Sequence, residues 1–342
     1  MNSFPPAGDI AAETARAQIP TVPLDGVATP LTRIVLGTMS MGDTADAAAS
    51  EAMLEAAVDA GITGIDCANG YARGTTESLI APFVQRHRER IVLSTKAGMP
   101  HPDAGDSPPL SRAGLTASVE GSLRRLGVES IDLFYLHQPD RGAPVAETME
   151  TIAGLHEAGK IKALGVSNYS AWQALEVIQT ARELGTIAPV VGQNVYNLLA
   201  RRVEDEWVEF AGTHGLLTMC YNPLAGGLLV QSPHGASVPT RFSAGSSLAE
   251  MYKKRYWTPE LLAAVAELAA VAADAGLSLP ELGLRWLVSR PGAGAVLVGG
   301  GSTEHLARNL ESLLKGPLPP DVLAACHEIS DPLKGVMPAY NR

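Results

Sequence analysis

Four ionisable residues, Asp66, Tyr71, Lys96 and His137, each stand where a strand-like run gives way to a loop. A carboxylate, a phenol, an amine and an imidazole at successive strand ends can protonate a carbonyl oxygen while a hydride arrives at its carbon. Tyr71 is the natural general acid. A free phenol has a pKa of about 10, so it needs a neighbouring cation to release a proton near neutrality, and Lys96 can supply that charge. Asp66, five residues before Tyr71, can hold the ammonium in place. His137 ends the run DLFYLH and can donate to the substrate oxygen. Taken singly, each has an ordinary alternative: a strand-end Asp caps a turn, a Tyr packs with its hydroxyl wet, and a Lys is solvated. The combination is what points to carbonyl reduction.

Positioning these groups requires a repeating scaffold. Short β-branched or apolar runs lie at 33–37, 63–66, 91–95, 131–136, 161–165, 190–194, 217–221 and 295–298. Helical patterns alternate with them at 47–60, 76–85, 112–126, 145–157, 170–183, 203–213, 280–289 and 303–314. Eight strand–helix units predict an α/β fold, a (β/α)8 TIM barrel. The rival is an open doubly wound sheet. Against it, no GxGxxG follows the first strand, and the reactive residues are scattered over many strand ends instead of one switch point. Residues 228–257 are long and poorly periodic, and read as an extended loop after the seventh strand, followed by a helix at 259–275. The proline-rich stretch 317–342 is expected to be a tail over the barrel mouth. Residues 1–20 are expected to be a mobile tail, leaving 21–342 as a single domain.

The chain has 342 residues, 46% of them hydrophobic, enough to bury one large core. With 26 basic and 36 acidic residues the formal charge is -10, which argues against a nucleic-acid partner. The three cysteines, Cys67, Cys220 and Cys326, contain no CxxC pair, so no metal site or disulfide framework is expected, and a reducing cytoplasm fits best. The longest apolar stretch, 261–279, carries Glu267 and Asp274 and reads as a soluble helix, so no membrane span is expected.

IVLGTMSMG, GIDCANGYARGTTES, LSTKAG, DLFYLHQPD, GVSNYS, GQNVYNLL and YNPLAGGLL occur in that order. Through them the sequence resembles the aldo-keto reductase family from about Thr32 onward. The resemblance implies that Asp66, Tyr71, Lys96 and His137 form the family's catalytic tetrad, with Tyr71 as proton donor. Cys67 stands where threonine is common, and has no obvious companion base as a nucleophile.

A nicotinamide cofactor is implied as well. Ser167, Asn168 and Gln193 can bond its carboxamide, and by resemblance Tyr221 stacks on its ring. Gly299, Gly300 and Gly301 lead through Ser302 into a helix, so free backbone N–H groups can face a phosphate. Asn222, Pro223, Leu224 and Gly226 are expected to line the pyrophosphate from the other side. Ser302 and Thr303 stand where many members place a basic residue for the 2′-phosphate; His305 and Arg308 lie within helical reach, and Asn309 matches an adenine contact. NADPH is the cofactor expected, with NADH the alternative.

Within the family, SNYSAWQALEVI, YNPLAGGLL, AEMYKKRYW and the terminal AYNR are similar to the aflatoxin-aldehyde and succinic-semialdehyde reductase branch. That resemblance implies a homodimer and assigns Arg241 and Arg342 to a substrate carboxylate, for which planar guanidinium groups are suited. LLVQS replaces the branch's LLTGK, so the loop's lysine contact is missing. Two other functions share the scaffold. One is a cofactor-binding regulatory subunit with slow turnover, like the barrels that accompany potassium channels. The other is an aldolase using Lys96 as a Schiff base, which would leave GVSN, Gln193 and Tyr221 without a purpose.

Overall fold

The computed structural model describes residues 19–230, 242 and 249–335. Its first element is a hairpin, β1 (Thr21–Leu24) and β2 (Val27–Thr32), joined through Asp25 and Gly26. Gly26 has φ +78°, as the tight turn requires. The Asp-Gly pair in LDGV is the sequence signal of this hairpin. Leu24 and Leu31 pack with Val35, Val92, Leu133, Val191, Leu217 and Ala295, capping the N-terminal end of the barrel.

Eight parallel strands close into a barrel: β3 (Ile34–Gly37), β4 (Gly64–Asp66), β5 (Val92–Ala97), β6 (Ile131–Leu136), β7 (Ile161–Ser167), β8 (Pro189–Val195), β9 (Leu217–Tyr221) and β10 (Ala295–Val298). β10 joins β9 on one side and β3 on the other, with Val296 opposite both Cys220 and Ile34. Strands covered on both faces explain the near-continuous apolar runs that made them readable. Three strands run further than expected, β8 by one residue at each end. β5 continues through Lys96 and Ala97 because these pair with Tyr135 and Leu136, and β7 continues to Ser167, opposite Gln193.

The surrounding helices are α1 (Ala47–Asp59), α2 (Thr76–His87), α3 (Arg112–Leu126), α4 (Val145–Glu157), α5 (Ala171–Leu184), α6 (Trp207–His214), α7 (Ala249–Tyr256), α8 (Pro259–Asp274), α9 (Leu279–Val288), α10 (Thr303–Leu314) and α11 (Pro320–Ser330). Their ends follow capping chemistry: Asp46 accepts from Ala49 N at 2.8 Å, and glycines in left-handed conformation stop α3, α5 and α6. α6 starts later than the sequence suggests, because Glu204 is drawn into ion pairs with Arg201 and Lys334 and forms a separate short turn.

Two helices were not anticipated. α7 lies within the loop after β9 and buries Tyr252 and Tyr256 beside Phe242. α11 opens the stretch expected to be a tail over the mouth; it packs on α8, and Arg201 ties its end to the loop after β8 through Ser330 (2.6 Å) and Asp331 (2.7 Å). Among the described residues, no single helix is long and apolar enough to cross a membrane.

Candidate active site

Asp66, Lys96 and His137 come from the C-terminal ends of β4, β5 and β6, and Tyr71 from the loop after β4. Lys96 is wholly buried and spends three donors: on the Asp66 carboxylate, on the Cys67 carbonyl at 2.7 Å and on the Tyr71 hydroxyl at 2.9 Å. The second Asp66 oxygen accepts from Ser94 Oγ and from Gln193 Nε2, both at 3.0 Å. Gln193 thus reaches across the barrel interior from β8. One of its amide hydrogens is given to the acid centre, a bond not foreseen from the sequence. Gly165 makes room for the Tyr135 ring, since a Cβ there would meet it at 2.5 Å.

The electrostatics correct one expectation. Tyr71 is not lowered towards neutrality but pushed up to about 12. Desolvation dominates, and the Lys96 charge that opposes it is offset by Asp66. Lys96 itself is raised, because Asp66 and Tyr71 outweigh its burial. The pair therefore holds a protonated phenol against a protonated amine at neutral pH. Cys67, buried and beside Glu77, is pushed up to about 12, which makes it a poor nucleophile.

Burial first, and then Lys96, push the His137 imidazole down to about 3. It is neutral and can donate through one nitrogen. Its Nδ1 is buried without a protein partner, and its ring meets that of Tyr71 edge-on at 6.1 Å. The His137 carbonyl accepts from Asn168 Nδ2 at 3.0 Å, and this holds Asn168 at φ +61°. Asn168 Nδ2 also meets Ser167 Oγ at 3.1 Å, while its Oδ1 accepts from the Tyr221 hydroxyl at 2.7 Å. Ser167, Asn168 and Tyr221 accordingly form one polar shelf beside the acid centre.

The residues after β10 fit a phosphate. Ser40 Oγ holds the Gly300 carbonyl at 3.0 Å and Asn309 Nδ2 holds that of Gly299 at 3.3 Å. Trans peptide geometry turns the N–H groups of Gly300 and Gly301 the opposite way, next to the N-terminus of α10, where Ser302 is the cap. Gly299 and Gly301 are exposed, and a Cβ at either would meet nothing closer than 3.6 Å, so access and not crowding defines this turn. Asn309 is a clamp on the turn through one of its two amide hydrogens. His305 and Arg308 are exposed on α10, with Glu304 between Ser302 and this pair.

The loop after β9 is more self-contained than expected. Asn222 Oδ1 accepts from Gly226 N at 2.7 Å, and Ala225 N and Gly227 N bond back to Asn222 and Leu224. Asn222 Nδ2 donates to the Tyr256 hydroxyl at 2.8 Å, and Gly226, at φ +69°, packs against Tyr252. Asn222 and Gly226 thus shape the loop, while Pro223 and Leu224 lie between them. Arg241 and Arg342 lie outside the described residues. A further cation beside the site is Arg255, at the end of α7, whose charge acts on Tyr221. Its signal was the basic cluster KKR closing that helix.

A closed barrel that sets a buried acid and amine against a half-buried, protonated phenol at its C-terminal strand ends defines an oxidoreductase of the carbonyl-reducing class. Comparison with known proteins agrees. Residues 33–331 match the model of the aldo/keto reductase family, and the chain belongs to that family. It is 34% identical over 325 residues to aflatoxin B1 aldehyde reductase member 2 of Rattus norvegicus, covering 90% of this chain and 87% of the relative. It is 37% identical over 311 residues to human aldo-keto reductase family 7 member A3, covering 86% and 92%. A probable voltage-gated potassium channel subunit beta of Oryza sativa subsp. japonica is 31% identical over 292 residues, covering 82% and 86%. Members of the family use nicotinamide cofactors and act on small carbonyl compounds.

Proposed function

We propose that the protein reduces an aldehyde or ketone to an alcohol with NADPH and that Tyr71 donates the proton. The observation that carries this is the 2.9 Å contact between the Lys96 ammonium and a phenol kept protonated by burial. When bound, the nicotinamide supplies the hydride. Tyr71 gives its proton to the carbonyl oxygen; Lys96, fixed by Asp66, stabilises the phenolate left behind, and neutral His137 donates a hydrogen bond that orients the oxygen. Ser167, Asn168 and Tyr221 would hold the nicotinamide. The amides of Gly300 and Gly301, with Ser302, would hold phosphate, and His305 and Arg308 favour the 2′-phosphate of NADPH.

Aldehydes are the substrates to test first, given the relatives' names. A carboxylated one is favoured by Arg255 beside Tyr221, and by Arg241 and Arg342 on resemblance. A homodimer in the cytoplasm is part of the same reading. The test is Tyr71→Phe with NADPH and an aromatic aldehyde: reduction should fall about 10²–10⁴-fold with little change in NADPH affinity. Full activity in this variant would sink the assignment. The match to a channel β subunit supports a second reading, a regulatory barrel with slow turnover, and multiple turnovers at more than a few per minute would discard it.

A further inference from the structure

The turn that carries Tyr71 is strained. Ala72 (φ 45°, ψ 44°), Arg73 (φ 58°, ψ 33°) and Gly74 (φ 93°) are consecutive left-handed residues, a conformation that side chains rarely adopt. Such backbone persists only where its surroundings over-determine it. On one side Gly42, in the loop after β3, packs so closely that a Cβ there would lie 3.3 Å from Ala72 Cβ. On the other side stands His101, from the loop after β5, whose Nε2 lies 3.0 Å from where a Gly74 Cβ would be.

His101 is itself anchored. Its Nδ1 is 3.2 Å from Asp103 N, and Asp103 is gripped by both terminal nitrogens of Arg125, at 3.1 and 2.8 Å. Gly121 makes room for that carboxylate, since a Cβ there would collide with it. Arg125 Nε continues to the buried Glu77 at 2.8 Å, and Glu77 accepts from Thr95 at 2.6 Å. Thr95 immediately precedes Lys96 on β5. The same ladder that fixes the strand of Lys96 therefore ends on the turn of Tyr71.

We propose that His101 is a positioning residue for Tyr71: its ring, braced by Asp103 and Arg125, holds the left-handed turn that keeps the phenol on the Lys96 ammonium. This rests on Tyr71 being the proton donor. Among the described residues His101 shares no hydrogen bond or ring contact with Tyr71 or the polar shelf, so its loss should slow proton delivery and spare binding.

The test uses the full-length protein, NADPH and an aromatic aldehyde. His101→Ala should lower kcat about tenfold while KM and the NADPH dissociation constant stay within about twofold, and should enlarge the solvent deuterium isotope effect on kcat. His101→Phe, which keeps a ring against Gly74, should recover most of the rate. Gly74→Ala should cost less in the His101→Ala background than alone, because the collision is gone. Unchanged kcat in His101→Ala, equal rates for the Ala and Phe variants, or strict additivity with Gly74→Ala would each overturn the inference. Tyr71→Phe, run in parallel, separates the failures: an active Tyr71→Phe removes the proton-donor reading, whereas an inactive one beside an active His101→Ala removes only the role of His101.

Discussion

Two buried aspartates on the barrel strands bind lysine, and only one of them belongs to a chemical site. Asp132, near the N-terminal end of β6, accepts from Arg88 (2.6 and 2.9 Å), from Lys162 (2.8 Å) and from Leu93 N (2.9 Å). Asp66, at the C-terminal end of β4, binds Lys96, Ser94 and Gln193. The cations of Asp132 are partly in water, and their charge ends on the carboxylate. The cation of Asp66 is wholly buried and has one donor left for a phenol. A buried ion pair is therefore no sign of a site. What makes one is a third group with a proton to give, at the end of the barrel where loops can admit a substrate.

The largest test of this contrast is to neutralise each aspartate. Asp66→Asn leaves the Lys96 ammonium buried without its counter-charge, so reduction should collapse and stability should fall by roughly 3–5 kcal/mol. Asp132→Asn should cost about 1–3 kcal/mol in urea unfolding and leave kcat within about twofold. Equal losses of kcat in both variants would erase the distinction.

The next effect is an acid-side pH dependence that belongs to the C-terminal end of the barrel. His137 takes a proton near 6.5 when unfolded but only at about 3 when folded. Between these values the unfolded chain binds more protons, so stability present above pH 6.5 is lost as pH falls towards 3, by up to about 1.4 kcal/mol per pH unit from this group. His137→Asn should flatten that slope in unfolding measured from pH 4 to 7, whereas Asp132→Asn should not.

The smallest effect lies at the cofactor turn. Ser302 holds the exposed Glu304 carboxylate in its ionised form, close to His305 and Arg308. Glu304→Gln should tighten NADPH by about two- to fivefold relative to NADH, read by quenching of tryptophan fluorescence. An unchanged ratio would place the 2′-phosphate elsewhere.

Asp66, Tyr71, Lys96 and His137 were legible because apolar runs break abruptly where polar groups take over, and a barrel gathers such ends on one face. The glycine turn was legible through its composition. Side-chain commitments were not: nothing in GQNV says that Gln193 crosses the barrel to Asp66, nor in YNPLAGG that Asn222 occupies the amide of Gly226. Periodicity also missed α7 and α11, short helices flanked by irregular sequence. The phenol's pKa was misjudged because proximity to Lys96 can be guessed from strand order, whereas its desolvation depends on the packed depth of the whole mouth.

The clamp on the glycine turn joins residues 260 apart, Ser40 and Gly300, and the same two stretches of chain close the barrel through β3 and β10. During synthesis the first barrel strand must wait, unpaired on one edge, until nearly the whole polypeptide has left the ribosome. With the nucleotide bound at this turn as proposed, its capture and ring closure become one event, so added NADPH should speed the last stage of maturation and protect every strand together against proteolysis.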